Sequence, residues 1–166
     1  MVDFKILIAE HDKNMKKMMS DTLKDSFKTE VVETGAEALK KIATFKPEIV
    51  FIDFQIDDMS SIELQQEIAK NYPEVHAVMM SNIDRSKISL QSMKKRAMDY
   101  LYRSEDAERF LSDVCKLVRW LIDIKYQSPK ESALVASGFY DLAKKLYEEK
   151  KWSVEEIEKI LEERNK

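Results

Sequence analysis

The sequence predicts an α/β sandwich: a doubly wound, five-stranded parallel sheet with helices on both faces and a helical hairpin appended towards the C-terminus. Three observations carry this. Short apolar runs alternate with amphipathic stretches up to about residue 126, the rhythm of strands joined by crossover helices. Carboxylates and a hydroxyl recur at the C-terminal ends of those runs, where parallel sheets gather their polar chemistry. Beyond residue 126 two further helix starts are announced by good caps.

The strands are expected at Lys5–Ala9, Thr29–Val32, Ile49–Asp53, Val75–Met80 and Asp99–Tyr102. Between and after them, helices are expected near Lys13–Ser26, Ala36–Phe45, Ile62–Asn71, Ser86–Lys95 and Asp106–Tyr126. The last repeats apolar residues at Ala107, Phe110, Leu111, Val114, Leu117, Val118, Leu121 and Ile122, a helical stripe. Thr34 with Glu37, and Ser60 with Glu63, have the spacing of capping boxes for the second and third helices. In the first helix, Met15, Met19 and Leu23 fall on one stripe and face the core, which leaves Met18 with Lys16 and Lys17 as the exposed side.

Domain organisation follows: residues 1–126 form the sandwich and 127–166 the extension. Ser128-Pro129-Lys130-Glu131 and Trp152-Ser153-Val154-Glu155-Glu156-Ile157 cap two helices, roughly Pro129–Lys150 and Val154–Arg164. The pair is too short to own much core and should pack on the domain, on a partner or on a second copy. Its charges nearly cancel and no recognition helix follows, so self-association or protein contact is expected rather than DNA binding.

Composition narrows the function classes. A net charge of −3, with both signs mixed along the chain, gives no basic footprint for nucleic acid or an anionic membrane. The one cysteine, Cys115, sits among helix-packing residues, which fits a reducing, cytoplasmic location. No stretch is long and apolar enough to span a bilayer, and the N-terminal residues lack the apolar core of a signal peptide.

The chemistry collects at one sheet edge. Glu10, His11 and Asp12 follow the first strand, Asp53 ends the third, and Ser81 and Arg103 lie just past the fourth and fifth. Like carboxylates brought together need a divalent cation or an altered protonation state. His76, opening the fourth strand, is expected to be exposed.

These segments resemble the receiver domain of two-component response regulators over roughly residues 4–122. Ile6-Leu7-Ile8-Ala9-Glu10-His11-Asp12 is similar to that family's first strand and acidic pair, and Glu33-Thr34-Gly35-Ala36-Glu37-Ala38-Leu39 to the start of its second helix. Pro47-Glu48-Ile49-Val50-Phe51-Ile52-Asp53 resembles the phospho-acceptor strand, Met79-Met80-Ser81-Asn82 the hydroxyl-bearing strand, and Ala97-Met98-Asp99-Tyr100-Leu101-Tyr102-Arg103-Ser104 the fifth. The resemblance implies a flavodoxin-like strand order of 2-1-3-4-5 and phosphoryl transfer to Asp53 from a histidine kinase or phosphotransfer protein. It implies Mg²⁺ held by Glu10, Asp12, Asp53 and the backbone carbonyl of Gln55, with Ser81 and Arg103 receiving the phosphate and Tyr100 following Ser81 inward. Output would pass through protein contacts to a downstream partner or a homodimer. The protein would not be an enzyme beyond catalysing its own phosphorylation and dephosphorylation.

The chain departs from that pattern at the chemistry. His11 stands where the family has its metal-ligating Asp, so Mg²⁺ should bind more weakly and a softer ion such as Mn²⁺ gains ground. Arg103 replaces the phosphate-pairing Lys and Ser104 its proline, while Asp57-Asp58 and Ser60-Ser61 replace a Pro-Gly and an Asp-Gly. A second reading follows: a pseudo-receiver, holding no cofactor, that binds its partner whatever its phosphorylation state. A hydrolase with an aspartyl intermediate ranks last, since no substrate-pocket residues are evident.

Overall fold

In the computed structural model, residues 3–83 and 99–127 are described. Five strands, β1 (Lys5–Ala9), β2 (Lys28–Val32), β3 (Ile49–Asp53), β4 (His76–Ser81) and β5 (Asp99–Tyr102), form one parallel sheet in the order β2-β1-β3-β4-β5. The flavodoxin-like order expected from the sequence is the order found. The helices are α1 (Lys13–Leu23), α2 (Gly35–Phe45), α3 (Ser61–Asn71) and α4 (Ala107–Gln127). The helix expected at Ser86–Lys95, the basic run Lys94-Lys95-Arg96 and the hairpin of residues 127–166, apart from Gln127, lie outside the described residues.

Strand periodicity divides the interior into two layers. Ile6 and Ile8 of β1, Ile49 and Phe51 of β3, and Val78 and Met80 of β4 pack with Met15, Met19 and Leu23 of α1 and with Phe110, Val114 and Val118 of α4. The alternate residues Leu7, Ala9, Val50 and Ile52 pack on the other face with Ala38 and Ile42 of α2 and Leu64 and Ile68 of α3. Central β3 is buried along its whole length, whereas edge strand β2 is buried only at Val32. Continuous apolar runs and helix stripes therefore read directly as a sheet covered twice.

Local differences from expectation have local causes. α1 stops at Leu23 instead of reaching Ser26, because the chain must turn down into β2. The backbone N–H groups of Ser26 and Phe27 both donate to the Leu23 carbonyl, and the Phe27 ring meets Phe4 edge-on at 6.1 Å. α2 ends in Lys46, whose φ of 53° is left-handed, and Pro47 follows where no helix could continue. The capping box at Ser60 and Glu63 is complete. At Thr34 only half of it forms: the threonine accepts from the Glu37 N–H, but Glu37 reaches one residue further back, to the N–H of Glu33.

His76 is half-buried rather than exposed, and Cys115 packs against the α1/α4 layer. Met18 is among the exposed large apolar side chains, as its place off the α1 stripe requires. No helix among the described residues is long and apolar enough to cross a membrane.

Candidate functional site

Parallel strands end in register, and four of them deliver polar residues to one edge of the sheet. Glu10 directly follows β1 and is fully enclosed; Asp53 closes β3 and Ser81 closes β4, each 4% exposed. Arg103 follows β5, its backbone N–H donating to the Ser81 carbonyl at 2.8 Å. Asp53, Ser81 and Arg103, together with His11, Phe54 and Gln55, line an open cleft of about 400 Å³, and Glu10 lies enclosed behind them against Arg103.

Asp53 has a different neighbour on each oxygen. Oδ2 lies 2.9 Å from His11 Nδ1, and since an ionised carboxylate only accepts, the imidazole N–H donates. Oδ1 accepts the backbone N–H of Gln55 at 3.3 Å and stands 4.0 Å from the Arg103 guanidinium. That guanidinium is nearer to Glu10, 3.3 Å from Oε2, while Glu10 Oε1 accepts the Asp12 N–H at 2.9 Å. Burial pushes the Glu10 carboxyl up to about 7, with the Asp53 charge adding to the rise and the Asp12 N–H and Arg103 opposing it.

The acidic cluster differs from the one expected. Its members are Glu10, His11 and Asp53, whose donor atoms all lie within 4.8 Å of one another. Asp12 stays outside. It is the N-cap of α1, its Oδ1 accepting the Met15 N–H at 2.8 Å, and that bond holds its carboxyl below the usual range. Three positions after the strand ends at Ala9 the chain already turns into the helix, so the cap claims the side chain.

Ser81 and Gln55 line the same cleft, and Tyr100 reaches it through the Ser81 carbonyl. The Ser81 hydroxyl accepts the Ile83 N–H at 3.0 Å, which leaves its own proton to donate. The Tyr100 hydroxyl donates to the backbone carbonyls of Ser81, at 3.2 Å, and Ile83. Gln55, whose carbonyl was expected as a ligand, sits in the loop that borders Asp53.

Asp58, in the loop where the chain departs from the family's Pro-Gly, caps another element. Its two oxygens accept the Gly35 and Ala36 N–H groups at 2.7 and 2.9 Å, clamping the loop after β3 to the first turn of α2 and lowering the Asp58 carboxyl. Met59 lies over Gly35 so closely that a Cβ there would stand 2.5 Å from Met59 Cγ. Sequence reasoning had no local signal for this contact, since the partners are 22 and 23 residues apart.

The family model of the response regulator receiver domain matches residues 6–114. The chain belongs to the response regulator receiver family. It is 30% identical over 118 residues to the chemotaxis protein CheY of Listeria monocytogenes, covering 69% of this chain and 98% of that one. An uncharacterised response regulatory protein of Vibrio cholerae is 32% identical over 117 residues, and there the receiver spans 48% of the longer relative. Among solved structures, the chemotaxis response regulator CheY4 of Vibrio cholerae matches with a TM-score of 0.61 at 21% identity, covering 70% of this chain and 99% of that one. The Thermotoga maritima response regulator TrrA, solved in complex with Mg²⁺–BeF, matches with a TM-score of 0.56 at 23% identity over 69% of this chain and 98% of that one. These two share the receiver's fold.

Proposed function

We propose that this receiver accepts a phosphoryl group on Asp53 from a phosphohistidine of a histidine kinase or phosphotransfer protein in the cytoplasm, and signals through protein contacts. The observation that carries the reading is the convergence of Asp53, Ser81 and Arg103 from neighbouring strand ends into one cleft, with the buried Glu10 carboxyl held against Arg103 behind it. A carboxylate oxygen of Asp53 attacks phosphorus, the P–N bond breaks, and the departing imidazole keeps the electron pair and takes a proton. His11 must release Oδ2 for that oxygen to react, and its side chain, 39% exposed, has room to turn. The Ser81 O–H and the Arg103 guanidinium are placed to donate to the new phosphoryl oxygens. Tyr100, already bonded to the Ser81 and Ile83 carbonyls, couples that end of β4 to β5.

The donor set fits a divalent cation. Ligands at about 2.1 Å from a metal stand about 3 Å apart when adjacent and about 4.2 Å when opposite, and His11 Nδ1 lies 2.9 Å from Asp53 and 3.7 Å from Glu10. Glu10, Asp53, the Gln55 carbonyl and a His11 nitrogen would hold a divalent cation, which would offset charge on the transferring group. With a small phosphodonor such as phosphoramidate and a divalent salt, intact mass should rise by one phosphoryl group in wild type and not in Asp53→Asn. Failure of wild type to gain that mass from phosphoramidate or a phosphorylated kinase sinks the proposal.

One observation favours a second reading, the phosphorylation-independent interaction module. His11 and Arg103 already partner the Asp53 and Glu10 carboxylates, so these side chains are satisfied without phosphate. That reading requires Asp53→Asn to bind the partner as wild type does.

A further inference from the structure

We propose that His11 makes this cleft selective for a first-row transition dication of the Co²⁺–Zn²⁺ class over Mg²⁺. The inference rests on the reading that Glu10 and Asp53 hold a cation, and adds which cation they hold.

Mg²⁺ is bound through oxygen and loses its water reluctantly, so a protein site competes for it with carboxylate charge. This cleft has little to spare. Glu10 and Asp53 bring two negative charges when both are ionised, and the Arg103 guanidinium, 3.3 Å from one and 4.0 Å from the other, returns one positive charge. Asp12, the nearest further carboxylate in sequence, is committed to the first turn of α1. The third donor is an imidazole nitrogen, neutral and poorly suited to Mg²⁺.

That nitrogen suits the later first-row metals, whose affinity for imidazole rises along the series towards Cu²⁺. His11 Nδ1 lies 2.9 Å from Asp53 Oδ2, and in the neutral tautomer that carries its hydrogen on Nε2 the Nδ1 lone pair can take a cation without the ring leaving the cluster. Guanidinium and imidazole together thus remove what Mg²⁺ needs and supply what a nitrogen-accepting ion uses.

The test is titration of the metal-free protein with Mg²⁺ and with Co²⁺, whose visible absorption changes on nitrogen ligation. Wild type should bind Co²⁺ about a hundredfold or more tightly than Mg²⁺. His11→Asn, which removes the nitrogen without adding charge, should lower Co²⁺ affinity by about tenfold or more and leave Mg²⁺ affinity within about twofold. His11→Asp, which restores a charged oxygen, should tighten Mg²⁺. The side chain is partly exposed on a loop, so both variants should fold, and their thermal unfolding midpoints should match wild type. A Co²⁺ affinity and spectrum unchanged in His11→Asn overturn the proposal. Phosphate uptake is scored separately: a wild type that binds Co²⁺ through His11 yet takes up no phosphate loses the phosphoryl reading and keeps this one. Uptake in Mg²⁺ without His11-dependent Co²⁺ binding has the opposite meaning.

Discussion

Glu10 is fully enclosed, with Arg103 on one oxygen and the Asp12 N–H on the other, and burial moves its titration to about 7 from an ordinary 4.5. Folding therefore favours the protonated acid. The stability this contributes is complete below about pH 4.5 and is lost as pH rises through about 7. In metal-free protein, Glu10→Gln should flatten that part of the dependence of the unfolding midpoint on pH. Cation binding runs the other way, since a ligand must be ionised: affinity for a divalent ion should rise about tenfold between pH 6 and pH 8, from about a tenth ionised to about nine tenths. Calorimetric titration at the two values checks this, and an unchanged affinity would exclude Glu10 as a ligand. The type and order of Glu10, Asp53, Ser81 and Arg103 were legible because strand ends are predictable. That His11 rather than Asp12 joins the cluster was not, because the choice depends on where the chain turns into α1.

Helix starts show the same division at the scale of elements. Ser60 with Glu63 was readable because both halves of the cap lie within one turn. Asp58 was not, because it serves a helix more than twenty residues earlier in the chain. Removing it in Asp58→Ala leaves two N–H groups at the start of α2 without their acceptor and should cost about 1 kcal/mol in denaturant unfolding. The same change unclamps the loop that carries Gln55, so divalent affinity should fall as well. Asp57→Ala, an exposed neighbour, serves as the control and should change neither.

At the scale of the whole molecule, the sheet separates two apolar layers among the described residues. Phe110 of α4 is completely buried in the α1/α4 layer, and Phe110→Ala should destabilise by about 3–5 kcal/mol, measured by chemical denaturation. Ile52→Val, one methylene lost in the opposite layer, should cost about 1 kcal/mol. The two changes lie on opposite faces and should combine nearly additively in the double variant. A large departure from additivity would mean that the two sites are energetically coupled through the sheet.

Periodicity and strand-end chemistry in the sequence determined the sandwich, its family and the edge where the polar residues meet, because these follow from burial patterns repeated over many residues. Side chains tied to partners distant in the chain were decided by the tertiary structure: Asp58 on α2, Arg103 across to Glu10, and His11 on Asp53. Each of these contacts joins segments that only the closed sheet brings within hydrogen-bonding distance, and a short-range pattern carries no record of such a distance.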